Sequence, residues 1–576
     1  MPDMRRPTRG ALAATALLAL TLAACPGGDS GEKGGKGRAA AGGQPVNGGT
    51  LIIASSDIDH LFPQLSVNFG AKNVTDQMFD YLADIGDELN TLGDAGFTPR
   101  LATRWEWAPD SLSITFHLDP RARWHDGQPV RASDVRFTHQ IYHDPASTSL
   151  NYELISTVDS VQVVDSLTPR IWYRRRGPEQ FFDAVYQMPI LPEHVLKGIA
   201  HDKLRQSEFA RSPIGSGKFR FVRWTPGQQI ELIADTANYR GRPRLDRVIY
   251  SIVADYPAAL TRLRAGEADF YETIRPENVA EVDNSPTLKA IPYQGSQYGF
   301  MGMNLRENGP RGRPHPVFGD RTMRRALTMA VDRRALVRSV FDTLAYPSIG
   351  PVTRGQSVAD TTIAQIPFDT VRAKQLLDSL GWRDANGDGV RERNGRPLEF
   401  AIIVPSISAS RVRLATLVQA QLKRVGVTAN LEQLEFGAFL ERLRRRQYDA
   451  AMSAWTTDPS PSGIRQLWTT AGSRSEDGSN YQSYESPAFD AYVDSAARAA
   501  TPAARKAYFR RAYETIVGDA PSVWIYEQRL VAGAHERLRT APMRADGWWA
   551  HLDQWWIPSN ARIPRDQIGL RTVAER

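Results

Sequence analysis

From residue 50 onward, the chain alternates short apolar runs with longer stretches whose apolar positions recur every three to four residues. "KFRFVRW" (218–224) sets basic against apolar side chains at every second position, the pattern of a half-buried strand. "LEFAIIVP" (398–405) reads as another strand. The next stretch, "ASRVRLATLVQAQLKRVG", places Leu414, Leu417, Val418, Leu422 and Val425 on one helical face and closes on Gly426. "VTANLEQLE" then reads as a strand, "FGAFLERLRRRQ" as a helix and "YDAAMSAW" as a further strand. This β-α-β order predicts parallel pairing and an α/β lobe. Earlier, "LSITFHLDP" reads as a strand, and "RWHDGQPV" carries an Asp126-Gly127 turn of antiparallel style.

The first residues follow a different pattern. "MPDMRRPTRG" is basic, and the following "ALAATALLALTLAA" is apolar for 14 residues. That is too short to span a bilayer but suits the apolar region of a signal peptide. It runs into Leu22-Ala23-Ala24-Cys25, which holds the only cysteine of the chain and resembles the bacterial lipobox, in which the cysteine is acylated. "RRPTRG" lacks the apolar pair that usually follows a twin-arginine signal, so the general secretory route is expected. Residues 1–24 are therefore expected to be a lipoprotein signal peptide. Residues 25–47, rich in Gly and charge, are expected to form a flexible tether reaching roughly 25–30 Å. The protein would face outward from a membrane, anchored through Cys25.

Charge and composition narrow the classes. The net charge is +7; residues 1–24 hold Arg5, Arg6 and Arg9 against Asp3, which leaves +5 for the remainder. That excess, without clustered Lys and Arg in a recognisable motif, gives no case for nucleic acid. The Arg run in "FGAFLERLRRRQ" reads as a solvated helix face. "GSGK" (215–218) imitates the tail of a phosphate-binding loop, but the first glycine position falls on Ser212 and Lys218 is followed by Phe219. "DANGDGV" (384–390) imitates a calcium loop, yet its twelfth position is Gly395 rather than Glu. The ten histidines form no HExxH or other ligand pair; His117 and His125 read as structural. No Ser stands in a G-x-S-x-G frame, although paired carboxylates leave a secreted hydrolase open as an alternative.

Several stretches together resemble the family 5 extracellular solute-binding proteins, the oligopeptide- and dipeptide-binding receptors of ABC importers. "TPRLATRWEWAPDSLSITFHLDPRARWHDGQPVRASDVRFTHQ" (98–140) and "SPIGSGKFRFVRWTPGQQIELIADTANYRGRPRLDRVIY" (212–250) carry most of the likeness. It continues in "LRAGEADF" (263–270), "MRRALTMAVDRRALV" (323–337), "AKQLLDSLGWRDANGDGV" (373–390), "SPAFDAYVDSAA" (486–497) and "RKAYFRRAYETIVGDAPSVWIYE" (505–527). Two stretches depart from it: "DELNTLGDAGFT" (87–98) is longer than the usual hairpin, and "GWWAHLDQWWIP" is unusually rich in Trp.

The resemblance implies a periplasmic-binding-protein-like type II fold of the cluster C kind. Two α/β lobes are joined by a hinge, with an additional inserted domain. On this chain the first lobe would be 48–62, 213–300 and 528–576, the inserted domain 63–212, and the second lobe 301–527. The hinge strands would lie near 300 and 528. It further implies a monomer that binds peptides without a cofactor or catalysis and delivers them to a membrane permease with a separate ATPase. The family pattern places a carboxylate for the ligand's α-ammonium three residues after Trp455, at Asp458. Backbone groups of Ala454 and Thr456 would pair with an extended peptide. Asn480 matches a polar position near the same site. Asp458 also reads as a turn cap before Pro459. Because "PSPSG" follows where peptide receptors more often carry a further acid, an oligosaccharide, an opine or a nickel complex stays open as ligand. Trp548, Trp549, Trp555 and Trp556 would either stack on sugar rings or close a core edge.

Overall fold

Two long antiparallel strands, Leu288–Met303 and Ser522–His535, run through the middle of an eleven-stranded sheet. The structure is a computed structural model that describes residues 43–567, apart from 64, 66–68, 150, 153, 308, 310, 311, 476 and 477. Cys25 and most of the expected tether therefore lie outside the described residues. All that follows belongs to the compact unit Pro45–Arg576.

Beyond Leu288–Met303 lie, in order, the strands Ala450–Thr456, Glu399–Pro405 and Thr428–Leu434. Beyond Ser522–His535 lie Phe270–Tyr271, Thr50–Ser55, Arg247–Ile252, Gln229–Ala234 and Phe219–Thr225. Glu399–Pro405 and Thr428–Leu434 pair in parallel, and the helix Ala409–Lys423 makes the crossover. On that helix Leu414, Val418 and Leu422 are buried, as is Val425 just beyond its end, and Leu417 packs against the same core half-buried. The chain reverses at Gly426 with φ +80°, a conformation that favours glycine; a Cβ there would meet the Arg391 side chain at 2.8 Å.

The two central strands pair regularly from Leu288 opposite His535 to Gln294 opposite Arg529. The register then breaks and resumes at Tyr298 opposite Glu527, so residues 295–297 face the single residue Gln528. A bulge of this kind bends the strand and leaves local backbone unpaired. Gly295 sits in it, where a Cβ would lie 2.7 Å from the Gln528 carbonyl oxygen. Buried Glu527 anchors the bend: it accepts from the Arg354 backbone and guanidinium and, at 2.9 Å, from Gln294 Nε2.

A four-stranded antiparallel sheet holds Ala102–Trp107, Ser113–Leu118, Thr168–Tyr173 and Val158–Asp165. Its apolar face shares one core with the strands at 50–55 and 219–252 and with the C-terminal segment. Buried apolar residues of the 63–212 segment, among them Phe116, Phe181 and Leu191, belong to that same core. Separate cores underlie the helices of 317–429 and of 464–517.

The sequence imitations resolve into structure. Gly217 N–H donates to Met78 O at 2.7 Å, a Cβ on Gly215 would collide with that same carbonyl, and Lys218 pairs with Asp553 at 2.7 Å. "GSGK" is thus a tight turn against the end of the helix Phe69–Met78. His125 holds this turn by bonding Gly215 and Gly217. In "DANGDGV", Asp384 accepts the backbone N–H groups of Gly387 and Gly389, so its carboxylate closes its own turn. Trp548 and Trp555 pack on Phe270 at 4.6 and 5.0 Å, and Trp548, Trp549 and Trp555 are buried. They close the edge of a core.

Candidate functional site

The strand Ala450–Thr456 carries Ala454, Trp455 and Thr456 at its C-terminal end and leads directly to Asp458. One edge pairs with the central strand from Ala450 opposite Met303 to Thr456 opposite Gln297. The other edge pairs with Glu399–Pro405 only at Ala450 and Ala451. From Met452 to Thr456 that second edge has no strand partner among the described residues.

Which groups face the open side follows from the ladder. Thr457 N–H donates to Ser296 O at 2.7 Å. Along an antiparallel strand, alternate residues address the same neighbour. Trp455 and Ser453 therefore address the central strand, and the backbone groups of Ala454 and Thr456 point to the open edge. Ala454 lies opposite Gly299, whose missing side chain is replaced by the Tyr526 ring, 1.9 Å from where a Cβ would stand. Trp455 is half-buried with its ring 5.8 Å from Tyr481.

The loop beyond the strand is held by its backbone, which leaves its carboxylate free. Gln356 Nε2 donates to Asp458 O at 2.9 Å and to Ser460 O at 3.3 Å. The Thr457 hydroxyl bonds Ser296 O and Thr353 Oγ1. The Asp458 carboxylate has no ion pair or hydrogen bond among the described residues. It lines a recess of about 10 Å³ where Leu89, Ala545 and Asp546 meet Thr353, Gln356 and Thr457. That is room for one group the size of a water or an ammonium.

Asp458 is exposed to water at its surface, yet crowding by the surrounding protein raises its carboxyl above the ordinary range. Lys72 opposes that shift and Glu179 adds to it. Asp458 lines the recess on one side and stays open to water on the other, so the surrounding protein displaces part of its hydration. The neighbouring Asp546 is neutralised by Arg544 through two contacts of 2.9 Å and bonds Tyr186. Lys72 is itself held by Asp76 at 2.6 Å and lies over the Tyr81 and Tyr186 rings.

Asn480 is placed differently from the strand residues. It is fully buried and donates to the carbonyls of Thr469 and Tyr484 while accepting from Tyr484 N–H. Its amide is occupied in shaping its own loop. Glu179, Gln356 and Ser460 escaped the sequence reading. Glu179 Oε1 accepts from Thr91 and Ser460, each at 2.7 Å, and pairs with Arg505 at 3.2 Å. These contacts join residues 88 or more positions apart and leave no local signal.

Among the described residues no group of three or more His, Cys, Asp or Glu side chains is placed to hold a metal ion. No described helix is long and apolar enough to cross a membrane.

Comparison with known proteins gives this arrangement a context. Residues 96–476 match the family model described as bacterial extracellular solute-binding proteins, family 5 middle. The chain is similar to the oligopeptide-binding protein AppA of Bacillus subtilis (strain 168), with 26% identity over 552 residues, covering 94% of this chain and 97% of that one. The solved structure of AppA from Bacillus subtilis in complex with a nonapeptide is similar with a TM-score of 0.70 and 23% identity, over 90% of this chain and all of that one. NikZ from Campylobacter jejuni in complex with Ni(L-His) is similar with a TM-score of 0.72 and 22% identity, over 88% and 99% of the two chains. At these identities the two structures speak for the fold, α/β and of the type II binding-protein kind.

Proposed function

The chain belongs to the bacterial extracellular solute-binding proteins of family 5, and from that premise we propose that it is the peptide receptor of an ABC importer. AppA, similar over nearly its whole length, is named as oligopeptide-binding. The observation that carries the reading is the unpaired Asp458 carboxylate at the end of a strand whose open edge presents Ala454 and Thr456.

An extended peptide adds to that edge through its backbone, and its α-ammonium enters the recess against Asp458. A charge that has lost water needs a partner, so a cation is the guest that Asp458 selects. Trp455 walls the site, and Asn480 supports the loop behind it. The segments 48–62, 213–300 and 528–576 act as one lobe with 63–212 inserted, and 301–527 as the other. The register break at 294–298 is the hinge between them. Ligand contacts made from both sides draw the lobes together, because only the closed form offers them all. A lipid on Cys25 holds the protein at the membrane as a monomer, and the closed form is delivered to a permease with a separate ATPase.

Calorimetry with a free-amine peptide and its N-acetylated twin tests the anchor. Asp458→Ala is expected to weaken the free-amine peptide about a hundredfold while the melting temperature shows an intact fold. Equal affinity in the variant, or equal binding of the acetylated peptide, overturns the reading.

A further inference from the structure

A groove opens on the side of the two central strands that faces away from Asp458. The strand Ala450–Thr456, which leads to Asp458, flanks Leu288–Met303 and ends with Thr456 opposite Gln297. On the other side the short strand Ala345–Pro347 flanks Ser522–His535, with Ala345 opposite Gln528. The two flanks therefore meet the register break at 294–298 from opposite edges. Just before Ala345–Pro347, residues 338–344 and Arg413 face the helix Pro276–Asp283 across a groove of about 350 Å³. One wall belongs to 213–300 and the other to 301–527.

The two walls differ in charge. Glu277 and Asp283 stand on the first, Arg338 and Arg413 on the second, and all four are exposed. The side chains of Glu277, Asp283 and Arg338 have no ion pair or hydrogen bond among the described residues, and Arg413 donates only to Ser339 O at 3.3 Å. Glu281, on the same helix as Glu277, is already taken by Arg264. Asp342 offsets one of the two arginines, which leaves +1 facing −2. At the base of the groove Leu344 packs against both the core of 317–429 and the small core around Val282 and Leu288. Its turn is tight and fixed to the central strand. Asp342 has φ +51°, Leu344 N–H donates to Phe341 O at 2.8 Å, and Arg529 donates to Leu344 O at 2.9 Å and Thr343 O at 3.2 Å. The recess at Asp458 measures about 10 Å³ while this groove measures about 350 Å³. A pivot on the two strands produces that combination when the peptide side is shut.

We propose that the groove is a counter-contact of the hinge: it closes as the peptide cleft opens, and its facing charges then pair and favour the unliganded, open form. This rests on the lobe and hinge reading given under the proposed function. A ligand must break the counter-contact to draw the lobes together. The strength of that contact sets the fraction of receptor ready to close and, through that fraction, the apparent affinity. Exposed ion pairs are individually weak, so the device tunes affinity and does not abolish it.

Small-angle scattering of the unliganded full chain and calorimetry with a free-amine peptide test it together. Glu277→Lys with Asp283→Lys sets like charges across the groove. That variant should have a smaller radius of gyration than the parent and bind peptide about two- to fivefold more tightly. Adding Arg338→Glu and Arg413→Glu restores opposite charges and should return both readings to the parent's. Ala280→Trp, at an exposed position on the groove wall, wedges the groove open and should also compact the unliganded chain and tighten binding. At about 1 M salt the effect of the Lys pair should fade while that of the Trp wedge persists. The proposal falls if the Lys pair leaves the radius unchanged, if the fourfold variant does not revert, or if the wedge expands the chain. Scattering needs no ligand, so a parent that binds no peptide would sink the receptor reading and leave this test standing.

Discussion

Asp458 and Glu527 are two carboxylates raised by the same force and used in opposite ways. Loss of water raises both. Glu527 is met by Arg354 and Gln294 and belongs to the framework of the bend, whereas Asp458 has only the distant field of Lys72. The sign of the consequence can be worked out. A carboxyl whose folded value lies above its unfolded value holds a proton more readily when folded. Its contribution therefore favours folding at low pH and is lost as pH rises through the raised value. Asn at position 458 carries no such penalty. Without ligand, Asp458→Asn should melt higher than the parent at neutral pH, and the gap should close below the ordinary aspartate range. Thermal scans across pH check this; a gap independent of pH would assign the difference to something other than the charge. A peptide ammonium restores the ionised form, so parent affinity should decline on acidification before an ordinary aspartate would titrate.

At the scale of elements, the site is a strand that stops pairing too early. Ala450–Thr456 is tied to Glu399–Pro405 by two residues and then stands open on that side, while its other edge stays fully paired. On the far side of the central strand Leu288–Met303, Gly299 pairs with Tyr526, whose ring fills the space of a side chain. Gly299→Ala must displace either that ring or the strand, and overpacking of this kind costs about 1–3 kcal/mol. An unfolding free energy in urea lowered by that amount, together with weakened peptide binding, is the expected outcome. Normal stability would show that the strand pair yields freely. The crossover helix offers a control: Val418 is fully buried on its inner face, and Val418→Ala should destabilise without touching ligand affinity.

For the whole molecule the question is which long-range contacts hold the chain around the recess at Asp458. Glu179 bridges Thr91 to Ser460 and Arg505, and Ser460 lies two residues from Asp458. Glu179→Gln keeps the shape and removes the charge, leaving Arg505 buried without its ion pair. Small-angle scattering of the unliganded variant should give a larger radius of gyration than the parent, and peptide should bind more weakly. An unchanged radius would show that this bridge does not set closure. The local grammar of the chain determined much of this protein: the helical faces, the parallel β-α-β unit, the turn nature of "GSGK" and "DANGDGV", and the family frame carried by the order of its motifs. Each depends on neighbours within a few residues, or on a pattern that survives without coordinates. Tertiary structure alone decided which edge of Ala450–Thr456 stays open, that the Asp458 carboxylate has no partner among the described residues, that the Asn480 amide serves its own loop, and that Glu179 meets Ser460 across 281 positions. Those outcomes depend on desolvation and on contacts between segments far apart in the chain, and neither leaves a periodic trace along it.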